Sequence, residues 1–281
     1  MPTIPPRAAS SLDVQPHQAR SVAESFGTDA ERYDRARPAY PEAMVERIVE
    51  ASFGPDLLDV GIGTGIAARQ FRAAGCRVLG VDADPRMAEL ARRSGFEVEV
   101  ARFEEWEPRG RTFDAVVAAQ AWHWVEPTRG AARAAEALRP GGRWAACWNA
   151  FQAPAEIAGA FSDVYRQVKP DLPFNPWGRP SLDAYSEIMA KAADGLRASA
   201  SFAEPEHWRF EWERPCTRDE FLDQVPTFGG HNRIPPAQLE ALLAGMGSVI
   251  DDAGGSFTLQ YATVVVTAAR SGAPPPPTKK C

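Results

Sequence analysis

The sequence predicts an α/β fold: a parallel sheet with helices on both faces. Three observations carry this. Short apolar or alternating stretches at 56–60, 76–82, 96–101, 113–120 and 143–149 are separated by stretches with helical spacing of apolar residues. Gly75, Gly95 and the run Pro140-Gly141-Gly142 punctuate the ends of those helical stretches. The chain has 281 residues, of which 44% are hydrophobic, enough for a sizeable core in one α/β domain with an insertion or in two small domains.

Taken in order, "DLLDV" (56–60) reads as a short buried strand, and Ala67, Phe71 and Ala74 mark a helix over about 64–74 that Gly75 ends. "CRVLGVD" (76–82) is the second strand. Pro85 suits a first helical turn, Asp84 the cap before it, and the helix runs to Gly95. "FEVEVA" (96–101) and "FDAVVAAQ" (113–120) are the third and fourth strands. Ala131, Ala134, Ala135 and Leu138 mark a helix stopped by Pro140-Gly141-Gly142, before a fifth strand over 143–149. The rhythm then breaks: helices near 155–168 and 181–193 enclose "KPDLPFNPWGRP", which reads as an inserted helical cap. A sixth strand is expected over 206–215. A helix capped by Thr217 with Glu220 at the capping-box position follows, then a helix from Pro235-Pro236 to about Asp251 and a long last strand over 257–269.

Composition removes several classes of function. No apolar run approaches the roughly 18–20 residues that span a bilayer, and the first twenty residues lack the apolar centre of a signal peptide. A cytoplasmic address is the simplest. Cys76, Cys147, Cys216 and Cys281 are far apart, which argues against a zinc ribbon or a disulfide scaffold, and no metal site is expected. The net charge of −6 lacks the basic surface of a nucleic-acid binder. The arginines at 129, 133, 139 and 143 read as a solvated helix face and its flank.

The chemistry begins at "LLDVGIGTG" (57–65). Glycines directly after a strand let the backbone approach a ligand at the carboxyl edge of a sheet. A dinucleotide fingerprint needs a third glycine where Ile66 stands, and no Lys-Ser/Thr pair follows to make a phosphate loop. Asp82, ending the second strand, is placed to take both hydroxyls of a ribose. The signal is thus a ribose-bearing ligand without a clear pyrophosphate site.

These motifs, with "GVDAD" (80–84), "FEEW" (103–106), "FDAVVAAQAWHW" (113–124) and "LRPGGRW" (138–144), resemble in order and spacing those of class I S-adenosylmethionine-dependent methyltransferases. The small-molecule branch with ubiquinone/menaquinone and trans-aconitate methyltransferases is most similar, and the resemblance covers roughly residues 24–150. It implies a Rossmann-like, seven-stranded, mostly parallel sheet with an antiparallel last strand; 206–215 and 257–269 fit as two late antiparallel additions. It implies S-adenosylmethionine as cofactor. Gly61 and Gly63 would leave room for its methionine part, Asp59 would hold the ammonium, and Asp82 would take the ribose hydroxyls. Ala83 would pack on adenine, Phe103 and Glu104 would contact the adenine ring and its amino group, and Gln120 would lie near the methionine tail. Phe103 reads equally well as core.

On the acceptor side, "YDRARPAYP" (33–41) is similar to a segment that forms a lid in this branch; Tyr33, Arg37 and Tyr40 are the candidates, Tyr33 also as a catalytic group. His123, between Trp122 and Trp124, can act as a general base, hydrogen-bond the acceptor or close the cofactor pocket. Trp148, Asn149, Trp177 and Phe174 are further acceptor contacts, and His231 reads as a surface histidine. The division expected is a disordered tail (1–20), lid helices (21–52), cofactor-binding core (53–149), helical cap (150–205), the C-terminal part of the sheet (206–270) and a second tail (271–281). The function expected is methylation of nitrogen, oxygen or carbon on a small, aromatic or apolar acceptor, such as an indole or phenol, in specialised metabolism. The partners expected are that small molecule, neither nucleic acid nor membrane, in a monomer or homodimer. The alternatives are a small carboxylic acid as acceptor, a nucleic-acid methyltransferase (its usual motif replaced by "QAWH" at 120–123), a nucleotide-dependent oxidoreductase, and a non-catalytic cofactor-binding module.

Overall fold

The structure, a computed structural model, describes residues 17, 20–23, 25–168, 177 and 181–272. The two expected tails fall almost wholly outside these residues, as does Phe174. The N-terminal part holds α1 (Arg20–Ala23), a 3-10 turn (Phe26–Asp29), α2 (Ala30–Ala36) and α3 (Glu42–Glu50). The alternating part follows as β1 (Asp56–Val60), α4 (Ile66–Ala73), β2 (Arg77–Asp82), α5 (Pro85–Arg93), β3 (Glu97–Val100), β4 (Phe113–Ala119), α6 (Pro127–Ala137) and β5 (Leu138–Gln152). The chain closes with α7 (Ala155–Val168), α8 (Ser181–Ser199), β6 (Glu206–Thr217), α9 (Arg218–Gln224), α10 (Pro236–Asp252) and β7 (Ser256–Ala269).

The seven strands form one sheet in the order β3-β2-β1-β4-β5-β7-β6. Strands β1 to β5 pair in parallel, and β7 is antiparallel to both β5 and β6. β6 therefore runs with the first five strands, and only β7 is reversed, which corrects the expectation of two antiparallel additions. A second correction concerns "RPGGRW". The helix ends at Ala137, and Pro140, Gly141 and Gly142 lie inside β5, where the pairing with β4 jumps from Phe113↔Leu138 to Ala115↔Arg143. The Pro-Gly-Gly run is a bulge, with Gly141 at φ +78°, not a helix stop.

Period-two alternation sorts the strand residues onto two faces. Leu58, Val60, Val116, Trp144, Ala146 and Trp148 face the alanine-rich side of α6 and Ala192, Ala193 and Leu196 of α8. Leu57, Val117, Ala145 and Cys147 face Met44, Val45 and Ile48 of α3 and Ala67 and Phe71 of α4. α3 is thus a sheet-covering helix, and only the stretch before it lies over the carboxyl edge. The insertion divides likewise. α8 joins the main core, whereas α7 packs with α9, α10 and the outer ends of β6 and β7 in a second cluster around Phe161, Phe221 and Phe257.

Local signals predict several details well. Asp84 caps α5, accepting from the Arg86 N–H at 2.9 Å. Thr217 and Glu220 form the capping box of α9. Cys76 and Cys147 are buried. Three of the four grouped arginines are in ion pairs: Arg133 with Glu136, Arg139 with Asp56 and Asp114, and Arg143 with Glu206. No described helix is long and apolar enough to cross a membrane.

Candidate functional site

β1 and β2 end side by side, Asp59 opposite Gly80, and the loop after β1 turns back under the end of β2. Gly61, Gly63 and Gly65 all adopt positive φ, at +69°, +57° and +90°. At Gly61 the demand is doubled: a Cβ would lie 2.4 Å from Cβ of Ala121, so backbone approach and backbone conformation both require glycine. The Gly61 N–H donates to the Val81 carbonyl at 2.7 Å, which locks the loop to β2.

Two carboxyl groups flank this loop. Asp59 is fully buried, and neither of its side-chain oxygens has a partner. Burial, helped by the nearby negative charge of Asp82, pushes its pKa up to about 7. Leaving a buried carboxylate unpaired is costly, so the site is built for a cationic or hydrogen-bond-donating group. Asp82 accepts the Gly63 N–H and the Asp84 N–H, each at 2.8 Å. A carboxylate has about four acceptor positions, so two amides leave capacity for ligand hydroxyls. Burial raises the Asp82 pKa to about 6 against the lowering by those amides. Ala83 is exposed beside it.

The adenine-side candidates differ. Phe103 is core: it is buried, 6.1 Å from Trp106 and 6.0 Å from Trp122. Glu104 is buried as well, and its Oε1 accepts the Glu126 N–H at 2.8 Å, fixing the turn that starts α6. Gln120 directly follows β4 with φ +55°, an unfavourable conformation for a residue with a side chain. Its N–H bonds the Cys147 carbonyl at 2.8 Å and its Nε2 reaches the Asn149 carbonyl at 3.2 Å, so the strain aims the side chain across the carboxyl edge.

Beyond the glycine loop lies a small inner cavity of about 30 Å³, lined by Tyr33, Arg37, Tyr40, Gln120, Phe151 and Tyr261 among others. That volume admits about two waters, so a larger guest needs the covering segment to shift. The Tyr40 backbone is held both ways by the Gln70 amide, at 2.9 and 2.7 Å. Burial raises the Tyr40 phenol well above its ordinary pKa. The Arg37 guanidinium sits 5.1 Å from the Tyr33 ring and 5.4 Å from the Phe228 ring and donates to the Thr227 carbonyl. Arg35 makes a bidentate pair with Asp223 at 2.9 and 3.1 Å, which fastens α2 to α9.

Several acceptor-side expectations are corrected. Trp122 and Trp148 do not face a cavity: both are fully buried in the main core. Trp148 instead donates its indole N–H to His123 Nδ1 at 3.1 Å. An indole nitrogen only donates, so Nδ1 is the acceptor and Nε2 carries the hydrogen of the neutral ring. Burial lowers the His123 pKa to about 4. At neutral pH the His123 ring is therefore neutral, with Nδ1 engaged by Trp148 and Nε2 carrying the hydrogen. It contacts Trp124 at 4.6 Å and is not among the lining residues of the inner cavity. Trp124 meets Phe26 of the N-terminal segment at 6.1 Å. Asn149 lines the cavity, but its Oδ1 accepts from Thr263 at 2.6 Å and its Nδ2 donates to the Ala39 carbonyl at 3.2 Å, so it is a tether. Trp177 packs behind the cavity, 5.9 Å from Phe151 and 5.0 Å from Phe161. His231 is buried, not a surface residue; its Nε2 lies 2.5 Å from the Tyr165 hydroxyl. Phe151, Gln224 and Tyr261 join the cavity without a local sequence signal.

Residues 57–142 match a family model described as a methyltransferase domain. An uncharacterised methyltransferase of Mycobacterium tuberculosis is 32% identical over 194 residues, covering 65% of this chain and 79% of the relative. A demethylmenaquinone methyltransferase of Tropheryma whipplei is 28% identical over 169 residues, covering 54% of this chain and 68% of the relative. Among solved structures, a putative type II methyltransferase from Anaeromyxobacter dehalogenans aligns with a TM-score of 0.61 at 22% identity, over 84% of this chain and 99% of that one. The [4+2]-cyclase SpnF aligns with a TM-score of 0.51 at 16% identity, over 92% of this chain and 98% of that one. The fold alone therefore does not define the reaction.

Proposed function

The chain belongs to the methyltransferase family, and from that premise we propose that it transfers a methyl group from S-adenosylmethionine to a small-molecule acceptor. The observation that carries this reading is the buried, unpartnered carboxyl of Asp59 beside the left-handed glycines of the β1 loop. Those residues fit the cofactor: Asp59 would hold its ammonium, the left-handed Gly61 and Gly63 would lay the loop backbone along it, and the free acceptor positions of Asp82 would take the ribose hydroxyls. The methyl arrives already activated on a sulfonium, so the cofactor supplies the chemistry.

The protein's own residues orient the acceptor and exclude water. Positioning of this kind supplies much of the barrier reduction in such reactions. Tyr33, Tyr40, Phe151 and Tyr261 give the inner cavity aromatic walls, which suit a planar or apolar acceptor. Gln120, held across the carboxyl edge, would orient it. His123, its Nδ1 held by Trp148, would support Trp124 behind this edge. The stretch over the carboxyl edge, from Phe26 to Pro41, would serve as the lid.

Thermal unfolding with S-adenosylmethionine, S-adenosylhomocysteine and NAD tests the donor. Stabilisation by the first two and none by NAD is expected; the reverse pattern sinks the proposal. A labelled-methyl transfer screen over phenols, indoles, amines and carboxylic acids then tests transfer itself.

A further inference from the structure

Outside the inner cavity lies a second, open groove of about 360 Å³, within the range of small-molecule sites. The two share Arg37, Pro38 and Tyr40 as a common wall, so the segment 37–41 separates an inner chamber from an outer one. Trp212 and Arg214 of β6 line the far side of the groove. Trp212 stacks on Tyr261 with ring centroids 4.1 Å apart, and Tyr261 lines the inner cavity. Arg214 donates to Gln224 Oε1 at 3.0 Å, and Gln224 also lines the inner cavity.

The two arginines stand apart from their neighbours. Arg32 and Arg35 pair with Asp223, and Arg209 pairs with Glu211. Of the nearby acids, Glu213 accepts from Gln260, and Glu220 accepts from Thr217 while lying close enough to Arg214 to feel its charge. Among the described residues neither Arg37 nor Arg214 has a carboxylate partner, and the buried Nε of Arg37 has no hydrogen-bond acceptor. In a chain of net charge −6, two guanidinium groups without a carboxylate at ion-pair distance line one groove beside an indole. Guanidinium forks match carboxylates bidentately.

We propose that this groove is the recognition subsite for an acceptor carrying a carboxylate on a planar body. Arg37 and Arg214 hold the carboxylate against the Trp212 face, and the methyl-accepting atom of the same molecule reaches past Tyr40 into the inner cavity. The carboxylate is the handle, not the methylated group. This rests on the methyltransferase reading above.

The test titrates protein saturated with S-adenosylhomocysteine with benzoate and with its neutral twin benzamide, by calorimetry. Benzoate binds more tightly than benzamide, and Arg214→Gln weakens benzoate at least about 10-fold, the loss of one charge-assisted contact. Arg214→Lys restores part of that loss, and benzamide is unaffected by either variant. Unchanged affinity for S-adenosylhomocysteine verifies that the variants are folded. Equal binding of the two ligands, no binding of benzoate to the wild type, or wild-type benzoate affinity in Arg214→Gln overturns the subsite. Failure of the wild type to bind S-adenosylhomocysteine overturns the methyltransferase reading instead, so the two failures are distinguishable.

Discussion

The two ligand-facing halves of this molecule are built in opposite ways. The donor half is compact in sequence: Asp59, three left-handed glycines and Asp82 lie within about two dozen residues, on two adjacent strand ends. The acceptor half is assembled from the segment 33–41, the ends of β4 and β5, the antiparallel pair β6 and β7, and α9. Their electrostatics are opposite too. The first presents two carboxyl groups with raised pKa, and the second presents two guanidinium groups without carboxylate partners. The two halves thus offer complementary surroundings to a cationic group and, in the subsite proposed above, to an anionic one. The lesson is that a local loop fixes the donor, while distant segments have to converge before an acceptor is specified.

The largest expected effect breaks the donor half alone. Asp82→Ala and Asp59→Ala should each weaken S-adenosylhomocysteine by about 100-fold, the scale of a lost charged hydrogen-bonding group. Benzoate affinity should change little. Calorimetric titration of both ligands into each variant measures this; parallel loss of both would mean the halves are not separable.

Next in size is the cost of the unpartnered Asp59. Its folded pKa of about 7 lies above the unfolded value near 3.9. The unfolded chain loses this proton first as pH rises, so stability falls between about pH 4 and 7 and then levels off. Asp59→Asn should remove that fall and raise the melting temperature at pH 8, while weakening the cofactor. Melting curves across pH decide it; an identical pH slope in wild type and variant would place the carboxyl with a partner.

A smaller effect is expected at His123. Donation from Trp148 to Nδ1 stabilises the neutral ring, and burial acts the same way. Trp148→Phe should therefore move the His123 pKa upward from about 4, read by NMR titration of the ring protons. Turnover should fall only a few-fold, since the ring is loosened rather than removed. A pKa that stays put would show that desolvation alone controls the ring.

The smallest effect belongs to the strap within the acceptor half, between α2 and α9. Arg32 and Arg35 meet Asp223 at a partly exposed site, where ion pairs are worth about 1 kcal/mol or less. Asp223→Ala should leave stability nearly unchanged and raise the protease sensitivity of residues 26–41. The same change should appear in the wild type at high salt.

Much of the donor half was legible in the sequence because its signals are local. The glycine turn after β1 follows from strand-glycine spacing, the cap at Asp84 from one dipeptide, and the capping box from Thr217 and Glu220. The aromatic residues of the acceptor half were not. "AWHW" looks like a mouth of three rings, yet Trp122 turns into the core and only Trp124 stays at the rim. Trp148 alternates onto the same buried face as Trp144, a consequence of strand period that becomes decisive only once α6 and α8 are known to cover that face.

By itself, then, the sequence determined the strand–helix alternation, the glycine turn, its two acids and the capped helix starts. Each of these is set by backbone conformation and side-chain spacing within a few residues. Tertiary structure alone decided the direction of β6, the bulge at Pro140-Gly141-Gly142, the burial of His231, the tautomer of His123 and the placing of Arg37 and Arg214 along one groove. Those depend on contacts between residues far apart in the chain, from the 25 residues between His123 and Trp148 to the much longer path from Arg37 to Thr227. No local propensity encodes such contacts; packing of the whole sheet brings them together.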